Sequence, residues 1–411
     1  MSTPGSAPLV VIGAGAAGTM AAIHAARRGR PVLLLESTAD GGRKILISGG
    51  GRCNILPASL DPSRFVSDAP PHLVRRLLQS WPLDQQRAFF ETDLGIPLQL
   101  ESATGKLFPV SNRARDVRDR LLASARSAGV EIRFGTVVRE VEPHAGSWRV
   151  AVTDRDPVRA SAVILATGGL SVPATGSDGF GLELARRLGH EVRPTYPALT
   201  PLTANPPVHA SLAGVSLDVT LSAKVEGRSI RSQGGFLFTH RGYSGPAVLD
   251  ISHLAVRSRM SGGPREVIRV QWTPEDPNGW DRYLQARSPQ AVLTQLREAL
   301  PARLAEWLLA DSGVPADRQL AQLSREERRS VVDRLTRYVL PWTGDEGFKK
   351  AEVTGGGVAL QEIDPATLES RRHPGLFFCG EVLDAFGPIG GHNFAWAWAT
   401  GRAAGTGAAR Q

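Results

Sequence analysis

A chain of 411 residues, 42% hydrophobic and 21% charged, is an ordinary globular composition, too long for one core and implying two or three domains rather than a disordered or fibrous polymer. Two cysteines, Cys53 and Cys379, exclude a disulfide framework and a zinc site, so no metal is expected and a reducing, cytoplasmic setting fits. The net charge of +8 carries only five lysines among 48 basic residues, interleaved with acids; such dispersion favours solvated helix faces over a nucleic-acid partner.

Residues 9–26 are apolar, but no basic segment precedes them and Gly13, Gly15 and Gly18 interrupt them, which argues against a leader or membrane span. They read instead as a buried strand (9–12), a glycine turn and a helix running to Arg28-Gly29, followed by a second buried strand (32–35). In this pattern Gly13 permits the turn, Gly15 lets backbone approach a pyrophosphate, and Gly18 lets helix pack on strand. The free N–H groups of the helix start then face the phosphates. Glu36 closes the second strand, where a carboxylate can accept from both hydroxyls of an adenosine ribose. The expected dinucleotide contacts here are Gly13, Ala14, Gly15, Ala17, Gly18, Glu36 and Ser37. This unit alone does not separate FAD from NAD.

Gly41-Gly42-Arg43-Lys44 through Gly49-Gly50-Gly51-Arg52-Cys53-Asn54 suits a loop lying along a bound dinucleotide. Arg43, Lys44, Gly51, Arg52, Cys53 and Asn54 are its candidate contacts. Asp61-Pro62 reads as a helix cap opening helices to about residue 90, and Asn112 as the cap of a helix over 112–128 stopped by Gly129. Strands over 130–142, 147–152 and 158–166 suggest a β-meander, with Val138 among the cofactor-contacting positions. Val163–Leu165, ending in Ala166-Thr167-Gly168-Gly169, is a buried strand whose small terminal residues allow close approach to a cofactor.

From Pro194 the pattern changes. Val215–Val225 alternates, Glu226-Gly227-Arg228 is a turn and Arg265–Trp272 alternates again, so 194–276 reads as an antiparallel β-domain. Ser288-Pro289 caps a helix bearing Val292, Leu293, Leu296 and Leu300, and Ser324–Glu327 is a capping box, so 277–341 reads as a helical insert. Residues 342–411 return to the first domain, 1–193. Here Gly375–Asp384 reads as a strand and glycine–acid turn, with Gly380, Glu381 and Asp384 binding cofactor or orienting the turn. Gly387 to Asn393 opens a last helix whose positive end can face the pyrimidine edge of a flavin. Gly391, His392, Asn393 and Phe394 are its candidates, and packing of small residues on the sheet is the plainer role of the helix.

These segments together resemble the YhiN/BaiN-like flavoproteins, also called aminoacetone-oxidase-like FAD-binding enzymes, over nearly the whole chain. The resemblance is carried by Gly42–Asn54, Leu107–Asn112, Ala166–Pro173 leading to Gly176–Gly179, Phe238–Pro246, Val353–Val358 and Gly380–Asp384. It implies an α/β fold in which a Rossmann-type FAD-binding domain is interrupted by an antiparallel β-barrel-like domain and a small helical domain. Many relatives resemble Gly-Gly-Tyr-Asn-Leu-Gln at the last helix start, where this chain has Gly390-Gly-His-Asn-Phe-Ala395.

The resemblance places His240, Tyr243 and Ser244 on the β-domain facing the flavin; a hairpin turn with a solvated histidine is the alternative. His392 is the other candidate base, against Asn393 capping the helix with His392 exposed. A buried, unreactive Cys53 is favoured over a thiol beside the flavin ring, and no nearby partner cysteine supports a disulfide reductase. Lys349 and Lys350 read equally well as surface charge. The leading expectation is an FAD-dependent oxidoreductase passing hydride from a small-molecule substrate to flavin N5, with amine oxidation by O2 one version the resemblance suggests. The alternative is reduction of conjugated double bonds, with NAD(P)H as a transient donor, since a second GxGxxG unit is not evident. A flavin-containing RNA-binding or RNA-modifying protein and a non-catalytic flavin scaffold complete the readings. Substrate and oligomeric state are not legible.

Overall fold

The computed structural model describes residues 7–225 and 227–411. The chain divides into two compact units, one built from 7–196 together with 353–411 and the other from 197–352.

The first unit is organised on a five-stranded parallel sheet ordered Leu376–Phe378, Ala162–Leu165, Leu9–Ile12, Val32–Leu35, Glu131–Arg133. Leu9–Ile12 lies at its centre, Leu9 opposite both Ala162 and Val32. Every residue of the three inner strands is buried, as unbroken apolar runs covered on both faces require. Helix Ala16–Ala26 packs against the last helix, His392–Ala408. The approach is set by glycine: a Cβ at Gly401 would lie 2.4 Å from the Ala17 carbonyl oxygen, and one at Gly405 would lie 2.1 Å from that of Ala21. Two three-stranded antiparallel sheets belong to the unit, Val138–His144 with Ser147–Val152 and Val158–Ala160, and Leu56–Pro57 with Lys106–Pro109 and Leu98–Glu101, and Val192–Ala198 pairs with Val353–Val358 in a two-stranded sheet.

Local readings differ from the structure at several points. The segment 158–166 splits, Val158–Ala160 staying in the meander while the apolar Ala162–Leu165 joins the parallel sheet. Asn112 is not a cap: it takes φ +51° in a turn and the helix spans Ala114–Ser127. Asp61 does cap, accepting from Ser63 N–H at 2.9 Å, but it starts only a single turn, Pro62–Arg64, ahead of helices Pro71–Gln79 and Leu83–Ala88.

The second unit holds a seven-stranded sheet ordered Tyr338–Val339, Arg269–Gln271, Ser216–Val225, Arg228–Phe238, Gly242–Ser244, Leu202–Thr203, Gly344–Asp345. Val219, Leu221 and Ala223 face inward and Asp218 and Lys224 outward, as the alternation requires. Helix Pro246–Met260 follows the hairpin, and helices Pro277–Tyr283, Val292–Ala299, Ala302–Asp311 and Arg325–Thr336 lie between the strand Arg269–Gln271 and the edge strand Tyr338–Val339. Ser324 and Glu327 form the capping box, whereas Ser288 accepts from Gln290 N–H and the helix after it starts only at Val292. The sheet residues Phe236, Phe238 and Trp272 and the helix residues Leu296, Leu304, Leu308, Val331 and Leu335 belong to one hydrophobic cluster. The segments 194–276 and 277–341 therefore share a core. Among the described residues no helix is long and apolar enough to cross a membrane.

Because the neighbour at Gly405 is rigid backbone, G405A should destabilise the protein by about 1–3 kcal/mol. A lowered urea midpoint checks this; an unchanged midpoint would show that the two helices separate freely.

Candidate functional site

The strand Leu9–Ile12 delivers its chain into a turn closed by two glycines, Gly13 and Gly18, that leave no room for a side chain. Gly13 takes φ +103°, and a Cβ there would stand 2.5 Å from the Ala166 carbonyl oxygen. A Cβ at Gly18 would lie 1.9 Å from the Gly13 carbonyl oxygen, so helix and turn are in backbone contact. Gly15 differs: a Cβ there would meet no heavy atom within 4 Å. It borders open space, at the start of a helix with no side-chain cap, whose first N–H groups have no partner within the helix. Gly13 and Gly18 thus close the turn while Gly15 leaves its outer face free.

Glu36 is 8% exposed at the end of the second strand. One carboxylate oxygen accepts from Ala14 N–H at 2.7 Å, and the other from Thr38 N–H and Oγ1 at 2.8 and 2.7 Å. It ties the glycine turn to the next loop, with Ser37 exposed beside it. Ala17 is buried where a Cβ at Gly380 would stand 2.8 Å from its methyl group. Val138 is buried at the start of its strand.

The segment 41–54 is not an open loop: Arg43–Ile47 forms a short helix and Ser48–Gly51 a tighter turn after it, and its basic residues are engaged inside the protein. Arg43 Nε donates to Asp40 Oδ1 at 2.7 Å, and Arg52 pairs with Glu101 at 3.0 Å with its guanidinium 4.0 Å from the Phe108 ring centroid. Lys44 Nζ donates to Ser171 Oγ and Glu381 Oε2, both at 2.7 Å. Gly51 has φ +84° and is exposed, Asn54 is half-buried, and Cys53 is fully buried. Burial pushes the Cys53 thiol up to about 12, against the lowering effect of a hydrogen bond with Ser48, so no thiolate is available near neutrality.

Thr167 and Gly168 follow the strand Ala162–Leu165, and Thr167 Oγ1 is a buried polar atom with no partner. A Cβ at Gly169 would lie 2.3 Å from Thr354 Oγ1, which accepts from the N–H groups of Leu170 and Ser171 at 2.7 and 3.0 Å. Burial alone would raise the Glu381 carboxyl, but the Lys44 ammonium and hydrogen bonds from Lys44, Ser171 and Thr354 outweigh it and hold it below the usual range. Gly380, at φ +78°, donates to Thr400 Oγ1 at 3.0 Å. Asp384 accepts from Asp68 N–H at 3.0 Å. Thr354, Ser171, Thr38 and Thr400 escape a reading of the sequence. Two of them stand inside the strings Ala166–Pro173 and Val353–Val358, which mark the segments without disclosing that they meet.

The last helix starts after Gly391, at φ +95°, again without a side-chain cap. Asn393 does not cap it; its amide exchanges two hydrogen bonds of 2.9 Å with the Gly387 backbone. His392 is not exposed, at 6%, and lies edge-on to Phe65 at 6.2 Å. Burial, with the Arg64 charge, lowers it to about 4 against a hydrogen bond with the Ile389 backbone and the Asp61 charge, so its ring is neutral at pH 7. Phe394 stacks on Trp398 at 5.3 Å.

His240 and Tyr243 belong to the second unit. His240 is exposed in the hairpin turn. Tyr243 points inward with no exposure, and burial raises its phenol. Its hydroxyl lies 2.8 Å from His209 Nδ1 and donates to the Pro341 carbonyl at 3.3 Å, while Tyr338 Oη is 3.1 Å from His209 Nε2. The two tyrosine hydroxyls thus flank the two ring nitrogens of His209.

The first unit fits a dinucleotide: an open Gly15, two uncapped helix starts and an unpartnered Thr167 hydroxyl lie on the segments that motif spacing singles out. Residues 7–407 match the family model described as the HI0933-like protein Rossmann domain. The ribosomal RNA dihydrouridine synthase of Escherichia coli (strain K12) is 34% identical over 398 residues, 95% of each chain. The 3-dehydro-bile acid delta(4,6)-reductase of Clostridium scindens is 33% identical over 411 residues, 98% of each. In fold, the chain is similar to the 3-ketosteroid delta1-dehydrogenase of Sterolibacterium denitrificans, with a TM-score of 0.51 at 13% identity, covering 98% of this chain and 99% of that one.

Two predictions follow from this geometry. G15V should yield a folded but colourless protein, because its side chain enters space that no protein atom fills, whereas G18V should fail to fold. Absorbance of the purified variants and their circular dichroism separate the two effects. Stability should also fall with acid: His392 is lowered in the folded state, so its contribution is complete above about 6.5 and is lost as the pH drops towards 4. H392Q should flatten that acid dependence by about 1.4 kcal/mol per pH unit across this window in urea titrations.

Proposed function

The chain belongs to the HI0933-like family of FAD-dependent oxidoreductases, and from that premise we propose that it reduces a carbon–carbon double bond conjugated to a carbonyl. The observation that carries this reading is chemical. Two relatives matched end to end are named for unrelated substrates, a ribosomal RNA and a bile acid, yet for one kind of reaction. A dihydrouridine is a uridine whose ring double bond has been saturated next to a carbonyl, and a delta(4,6)-reductase of a 3-oxo steroid saturates the same kind of bond.

FAD, when bound, supplies the two-electron hydride chemistry. The chain's own part is binding and polarity. The Gly13–Gly18 turn and the helix Ala16–Ala26 would receive the pyrophosphate, and Glu36, at the end of its strand, would accept from the ribose. The uncapped start of His392–Ala408 would stabilise negative charge developing at the cofactor's pyrimidine edge. With its pKa lowered to about 4, His392 carries no imidazolium proton to give near pH 7, and it would act by hydrogen bonding through an uncharged ring. NAD(P)H is the proposed electron donor, binding transiently.

Anaerobic mixing of the yellow protein with NADH or NADPH should bleach the visible flavin band. A second mixing with an enone should restore it. The enone arms are a 4,6-dien-3-one steroid and a uridine-rich RNA, and the arm that restores colour identifies the substrate class. Bleaching by an amine, reversed by air and not produced by NAD(P)H, would replace this reading with amine oxidation.

A further inference from the structure

Four segments distant in sequence meet at one carboxylate. Glu381 Oε2 accepts from Lys44 Nζ at 2.7 Å, and Oε1 accepts from Ser171 Oγ at 2.6 Å and from Thr354 N–H at 3.0 Å. Lys44 also donates to Ser171 Oγ at 2.7 Å, so that hydroxyl accepts one bond and donates one. Thr354 Oγ1 in turn accepts from two backbone N–H groups of the loop carrying Ser171. The Lys44 and Glu381 side chains are 29% and 17% exposed, which makes this a largely desolvated pair rather than a surface contact. The segment 41–54 and the turn Gly380–Asp384 are both expected to line the dinucleotide, and nothing local joins them: 337 residues separate Lys44 from Glu381.

We propose that Lys44 is a positioning residue, latching the glycine-rich segment 41–54 to the Gly380–Asp384 turn through Glu381, and not a ligand of the cofactor phosphates. This inverts what a lysine in a glycine-rich loop suggests. Its ammonium is satisfied inside the protein by a carboxylate and a hydroxyl, and the pair brings no net charge to the site. A latch of this kind shapes the cofactor cradle before any cofactor arrives.

The two roles separate in a mutant cycle. Removing Lys44 alone strands a desolvated carboxylate, which costs more than removing both charges. Wild type, K44M, E381Q, K44M/E381Q and K44R are compared for the thermal midpoint of the flavin-stripped protein and for FAD affinity by fluorescence titration. K44M should lower the midpoint and weaken FAD about tenfold or more; K44M/E381Q should recover at least half of each loss, and K44R most of both. If K44M fails to fold while K44M/E381Q folds, the latch is supported. An unchanged midpoint in K44M with an FAD loss that E381Q does not relieve would make Lys44 a direct ligand and overturn the proposal. So would a K44M protein unchanged in both measurements. The midpoint needs no bound flavin, so the latch is tested even if the chain binds FAD poorly.

Discussion

The first unit depends on how closely backbone can approach the helix Ala16–Ala26. That helix is almost all small residues, and glycines from four other places press on it. Gly13 meets Gly18 at its start, Gly380 meets Ala17, and Gly401 and Gly405 meet the carbonyls of Ala17 and Ala21. A single methyl group at most of these points would stand under 3 Å from another atom. At these points the helix is fixed by backbone contact, while Met20, Ile23 and His24 pack as buried side chains, and its N-terminus is held in a defined place relative to the central strand. Whatever binds at that N-terminus meets N–H groups whose positions are already set.

Polar side chains complete what the glycines begin. Glu36 joins the glycine turn to the following loop, and Glu381 gathers Lys44, Ser171 and Thr354. Both carboxylates accept several donors, the arrangement that makes burying a carboxylate tolerable. The second unit pairs the buried side chain of Asp345 with Arg259, and besides that ion pair it holds a neutral network. His209, Tyr243 and Tyr338 form a chain of neutral hydrogen bonds that ends on a backbone carbonyl, inside a cluster of aromatic rings.

The parts legible in the sequence are those decided within a few residues. The roles of Gly13, Gly15 and Gly18 follow from one turn, the inward side of Ser216–Val225 from its alternation, and the Ser324–Glu327 box from four positions. The fold class and family were likewise readable, because contiguous strings such as Gly42–Asn54 carry the resemblance. What was not legible depends on partners far along the chain. Nothing near Lys44 announces Glu381. Tyr243 faces the core because Gly242–Ser244 pairs with Leu202–Thr203 in one register, and a shift of a single residue would have turned it outward. Asn112 and Asn393 have the chemistry of caps, but tertiary contacts use one in a left-handed turn and the other on the Gly387 backbone.

The discontinuity of the first unit fixes an order of events during synthesis. Its sheet needs Leu376–Phe378 beside Ala162–Leu165, and its central helix needs His392–Ala408, yet all of residues 197–352 are made in between. At roughly 5–20 residues per second, the strand at 162–165 leaves the ribosome some ten seconds or more before its neighbour exists. The second unit, continuous in sequence and closed on its own core, has every residue it needs during that wait. The nascent chain thus carries a finished domain tethered to an unfinished sheet whose apolar edge is open, and that interval is when a chaperone has most to protect.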